Sequence, residues 1–199
     1  MELPRSEQHI IDAYNIQRAV FRLINLSYGF GALLEDSEGD VEYRKNSALF
    51  IKYKNFFEKE ATALLLEIAI NCRVLDDQLR KSENQINPED YVKEEMLGDI
   101  QLGKTDAQHA PVLTLRECFN KIIHATYIEH DIRLGESDNW KPYYMPEVHL
   151  LGSNGKNEWS VAIYLMPFCR VVFDFLEAYM SNPAQTGLRE KPRSPSTLR

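Results

Sequence analysis

The stretch FIKYKNFFEKEATALLLEIAINCRVLDDQL, residues 50–79, decides the fold class. Within it Phe50, Tyr53, Phe57, Leu64, Ile68, Leu75 and Leu79 recur at steps of three, four and seven, and Ala61 and Cys72 fill the same stripe. At about 3.6 residues per turn such steps return to one side of a helix, so the stretch reads as one long amphipathic helix. Lys52, Lys54, Glu58, Glu60, Arg73 and Asp76 fall mainly off the stripe, on the solvated side. Carried back to residue 41 and forward to 81, the helix would be about 60 Å long. That is long for a small domain, so it either breaks near residues 45–48 or projects toward a partner. The aromatic run Phe50, Tyr53, Phe57 is core in the first case and a docking face in the second.

Working outward toward the N-terminus, residues 6–34 carry Ile10, Tyr14, Phe21, Ile24 and Tyr28 at helical spacing. This predicts a second helix, packed antiparallel to the first on the face those residues define. Gly29 and Gly31 weaken its end, and residues 35–40 read as an acidic loop in which Asp40 caps the next element.

Toward the C-terminus, residues 82–111 turn polar and acidic. Asn87-Pro88-Glu89-Asp90 offers a cap and a first-turn proline for a short helix to about residue 96, followed by loop. Thr114-Leu115-Arg116-Glu117 is a capping box that opens a helix to about residue 126. Ile128, His130, Ile132 and Leu134 then alternate with Glu129, Asp131 and Arg133, which is strand patterning. A second apolar run at residues 148–151 leads through a five-residue loop containing Asn154-Gly155 to Trp159, Val161, Ile163 and Leu165, again alternating. Pro167 starts a final helix with Phe168, Val172, Phe175, Leu176 and Tyr179 on its buried stripe. The expected fold is α+β and predominantly helical: an antiparallel long-helix bundle with a small antiparallel sheet, a hairpin, before the C-terminal helix. Residues 1–181 form one domain, and residues 182–199, rich in Pro, Ser and Arg, form a disordered tail.

Composition narrows the function classes. A hydrophobic share of 44% and an aromatic share of 11% suffice for a buried core. The net charge of −7 excludes nonspecific wrapping of nucleic acid, so any phosphate contact needs a local basic patch. Cys72, Cys118 and Cys169 are far apart, odd in number and set in apolar surroundings, which reads as reduced core cysteine. Met1 opens a polar segment rather than a signal peptide, and no apolar run approaches the roughly 20 residues that cross a bilayer. A cytoplasmic protein without membrane contact is the expectation.

One helical edge carries chemistry. Arg116, Asn120 and His124 are four residues apart, with Lys121 three before His124 and Tyr127 three after it. Successive steps of four turn about 40°, so the three share an edge. An imidazole there can move the proton of a ribose hydroxyl while an amide and a cation steady the charged phosphorus centre. The segment Asn120-Lys121-Ile122-Ile123-His124 resembles the end of the signature helix of HEPN-domain proteins. The resemblance implies a helical bundle, often dimeric, acting as a metal-independent endoribonuclease in toxin–antitoxin or phage-defence systems. It covers about a third of the chain. In that family an Arg, followed by a polar residue, precedes the His with four to six residues intervening, which here falls on Glu117, Cys118 or Phe119; between Arg116 and His124 seven intervene. The resemblance therefore carries over Asn120 and His124. On this reading His124, Asn120 and Arg116 are catalytic, Lys121, Tyr127 and Arg133 contact RNA, and no metal or cofactor is needed.

Other constellations are weaker. His124, His130 and His149 sit on consecutive elements, but no pair has a metal-ligand spacing, and His130 alternates with Ile128 and Ile132 as a satisfied, half-buried imidazole does. Asp131, Glu147 and Glu158 lie in or beside strands, where surface carboxylates are the rule. Asp76-Asp77 reads as the solvated face near a helix end, Cys118 lies on the opposite side of its helix from His124, and the glycines form no phosphate-binding loop. Arg189, Lys191, Arg193 and Arg199 make the tail locally basic.

Two function classes follow. One is a divergent HEPN-like RNA-contacting protein or endoribonuclease of bacterial stress or phage defence. The other is a noncatalytic interaction or scaffold protein that forms a homodimer, or meets a protein partner, through its long helices, with Phe57 and Leu64 at the interface.

Overall fold

Ser47 sets where the long helix starts. Its side-chain oxygen accepts the amide of Phe50, and its carbonyl accepts the amide of Ile51. The computed structural model describes residues 11–35, 47–81, 97–102, 113–135 and 143–181. The elements are α1 (Ala13–Glu35), α2 (Ala48–Lys81), β1 (Gly98–Leu102), α3 (Leu115–His124), β2 (Tyr127–Gly135), β3 (Tyr143–Asn154), β4 (Asn157–Tyr164) and α4 (Leu165–Ser181). The 34 residues of α2 make a rod of about 51 Å. The short helix expected after Asn87 and the tail from residue 182 lie outside the described residues.

The stripe of α2 is core, as its spacing predicts: Phe57, Ala61, Leu64, Ile68, Cys72, Leu75 and Leu79 are buried. Phe57 and Leu64 therefore belong to the protein's own interior and not to an interface with a partner, which corrects the expectation for those two residues. α1 lies antiparallel to α2. Its Arg22 pairs with Glu60, while Phe30, further along, meets the rings of Tyr53 at 5.8 Å and Phe50 at 5.7 Å. As α1 advances, its partners on α2 move backward.

The face of α1 is not the expected one. Tyr14, Phe21 and Tyr28 are 62%, 65% and 53% exposed. The buried face runs through Ala13, Ile16, Val20, Leu23, Ser27 and Phe30, a row with the same periodicity whose members, Phe30 apart, are smaller. Ser27 is accommodated because its hydroxyl donates to the carbonyl of Leu23.

The four strands form one antiparallel sheet in the order β1-β4-β3-β2. Strand β1 replaces what reads as loop, pairing Gly98 with Ile163 and Ile100 with Val161. The β3–β4 hairpin is tighter than the apolar alternation suggests. Asn154 pairs with Asn157, so only Gly155 and Lys156 turn the chain, and Gly155 takes a φ of +62° that suits glycine. The inner face of the sheet presents Ile100, Val148, Leu150, Trp159, Val161 and Ile163 to the helices, all buried. Gly152 is paired with Trp159, and a Cβ there would sit 2.1 Å from the indole ring. The last helix begins at Leu165, which places Pro167 in its first turn, where no intrahelical amide is missed. No helix among the described residues is long and apolar enough to cross a membrane.

Candidate functional site

Helix α3 starts on the capping box read from its sequence. The Thr114 hydroxyl accepts the Glu117 amide at 3.2 Å, and the Glu117 carboxylate accepts the Thr114 amide at 3.1 Å. Leu115, Cys118, Phe119 and Ile122 turn into the core, which sends Arg116, Asn120, Lys121 and His124 to the edges.

Those four residues have three separate surroundings. The Arg116 guanidinium donates to the carboxylates of Asp76 and of Asp77, the latter at 3.0 Å. Asn120 accepts through Oδ1 from Arg73 Nε at 2.9 Å, and Arg73 also pairs with Asp77. Arg80 Nε lies 2.9 Å from Asp76 Oδ1. Three guanidinium groups thus share two carboxylates between α2 and α3. Asp76 is fully buried rather than part of a solvated face. Its charge is met by Arg80 within the helix and by Arg116, some forty residues on. The hydrogen bond from Arg73, supported by Arg116 and opposed by desolvation, holds the Asp77 carboxyl below its usual range. Desolvation works against the charge on Arg116, but the hydrogen bonds to Asp77 and Asp76 outweigh it and raise its pKa.

Lys121 lies on another side of α3, its ammonium 4.1 Å from the centre of the Trp159 ring on β4. Desolvation lowers its pKa, against the attraction of Glu117. His124, the last residue of α3, is exposed, and so is Tyr127 at the start of β2. The Arg133 side chain lies outside the described residues. Of the residues grouped from sequence, the structure joins Arg116 and Asn120 in one polar network, seats Lys121 on the sheet, and leaves His124 and Tyr127 at the surface.

The three candidate histidines point to different places. His130 faces inward, its Nε2 2.9 Å from Thr62 Oγ1 and its ring edge-on to Phe57. Burial lowers its pKa to about 4. His149 alternates with buried Val148 and Leu150 and so lies on the outer face, 3.4 Å from Glu147 and 3.6 Å from Asp131. On the same face the Tyr164 hydroxyl donates to Asp99 at 2.6 Å, which with burial pushes its pKa up to about 12. The strand alternation adds Glu129 and Glu158 to this face, making it rich in carboxylates and unsuited to a phosphodiester. Among the described residues no group of three His, Cys, Asp or Glu side chains is arranged to hold a metal ion.

One feature escaped the reading of the sequence. On the back of α2, opposite its core stripe, Leu49, Phe56, Ala63 and Ile70 are all exposed. They are seven residues apart, and Phe56 shows 70% and Leu49 66% of its surface. The signal was the seven-residue step itself, hidden beside the denser core stripe. No family model, curated protein or solved structure matches the chain.

Proposed function

We propose that the chain is a noncatalytic helical interaction protein that associates with itself through its long helices. The observation that carries this reading is the outward row Leu49, Phe56, Ala63 and Ile70. Large apolar side chains repeated along one line of an exposed helix are stabilised by covering them, and a stretch of that kind marks an association surface. The protein is expected to run in sedimentation equilibrium at about twice its monomer mass of 23.1 kDa at micromolar concentration. A single monomeric species up to hundreds of micromolar would discard the reading.

A second reading, a divergent HEPN-like protein that contacts or cleaves RNA in bacterial stress or phage defence, is favoured by the exposure of His124 and Tyr127 at the open end of α3. Against it stand the carboxylates that occupy Arg116 and the indole beneath Lys121. It expects His124→Ala to abolish cleavage of single-stranded RNA with the fold intact. Equal cleavage by both proteins, or none by the wild type, removes it.

A further inference from the structure

We propose that two copies of the chain pair along α2 in parallel alignment, Phe56 beside Phe56 and Ile70 beside Ile70, an inference that rests on the self-association reading above. The charges flanking the row select the alignment. On a helix turning about 100° per residue, a position three after a row member falls about 50° to one side of the row, and a position four after it falls about 50° to the other. Lys52 follows Leu49 by three and Lys59 follows Phe56 by three, so both lie on the first flank. Glu60 follows Phe56 by four and Glu67 follows Ala63 by four, so both lie on the second. All four are exposed; Glu60 also meets Arg22 of α1, so its charge is shared within the protomer and Glu67 carries most of the second flank's charge.

A two-fold axis running along the helices sets the first flank of each copy against the second flank of the other, lysines facing glutamates. A two-fold axis across the helices sets each flank against its own kind, Lys against Lys and Glu against Glu, which is repulsive. The row is therefore self-complementary in one direction only. A strict seven-residue step drifts about 20° per repeat around a straight helix, so the two copies cross at a shallow left-handed angle of the kind two long helices adopt. Ala63 at the middle of the row lets the backbones approach.

The area fits the same partner. From their exposures, Leu49, Phe56, Ile70 and Val74 offer roughly 400 Å² of apolar surface per copy, the size of a functional patch. The stems of the flanking lysines and glutamates extend it toward the ~800 Å² each partner of a standard interface buries.

The test uses the full chain. Sedimentation equilibrium compares wild type with Phe56→Glu, and a short bifunctional thiol linker is applied to Leu49→Cys and to Ile70→Cys, alone and mixed. The three native cysteines are buried and do not compete. Phe56→Glu is expected to weaken the dimer at least about thirty-fold with an unchanged circular dichroism spectrum, and each cysteine variant is expected to link to itself. A monomeric wild type overturns both this inference and the reading beneath it. A dimer insensitive to Phe56→Glu keeps the reading and overturns this face. Linking that appears only when the two cysteine variants are mixed overturns the parallel alignment.

Discussion

His130 shows how much a single position can disclose. Its alternation with Ile128 marks it as inward-facing, and it is found against Phe57 and Thr62. Because burial lowers its folded pKa to about 4, below the roughly 6.5 of the unfolded chain, the unfolded state binds more protons between those values. The contribution is fully present above about pH 6.5 and is lost as pH falls to about 4. Between pH 7 and pH 4.5 urea-unfolding stability is expected to drop, with His130 accounting for about 2 kcal/mol of the loss. His130→Gln should reduce the drop by that amount, and an identical drop in the variant would refute the assignment. Asp76 was not legible in the same way. Arg80, one turn on, pairs with it as a surface residue would, and the second guanidinium, Arg116, arrives only through tertiary packing. Arg116→Ala, which leaves Asp76 with Arg80 alone, is expected to cost about 1–3 kcal/mol in chemical denaturation. His124→Ala, at an exposed helix end, should stay within about 0.5 kcal/mol.

At the level of single elements, α2, the capped α3 and the strand alternations were readable because each is specified by local spacing and local hydrogen bonds. Removing the cap with Thr114→Ala should lower stability by about 1 kcal/mol. In α1 two rows of equal period compete, and the larger side chains Tyr14, Phe21 and Tyr28 draw the eye to the wrong one. Which row is buried depends on shape: the smaller residues admit close packing against α2 and α4, where Gln17 also donates to Glu177 at 2.6 Å. Leu23→Ala is accordingly expected to cost about 2–5 kcal/mol, and Phe21→Ser under about 1 kcal/mol, by urea titration. The opposite ranking would restore the aromatic face as core. Strand β1 was not readable, because five residues, Gly98–Leu102, carry too little pattern. Its identity comes from pairing with β4, some sixty residues later.

Across the whole molecule, the described helices cover one face of the sheet, the one that carries its buried apolar side chains. The buried apolar residues form one continuous cluster drawn from both layers. Far-UV circular dichroism and indole fluorescence should therefore report a single urea transition with a common midpoint, and separated midpoints would show that the layers unfold independently. The class of architecture was visible in the order of the patterns, whereas the strand order was not, since it depends on long-range pairing. The proposed role depends on a surface, and local periodicity describes surfaces only after the interior is known. The two layers are tied together at Lys121 and Trp159. An ammonium held 4.1 Å from an indole links a helix of one layer to a strand of the other. With Trp140→Phe leaving a single emitter, the colour of that indole becomes a gauge of whether the two halves of the sandwich stay closed, in the resting protein and in any complex it enters.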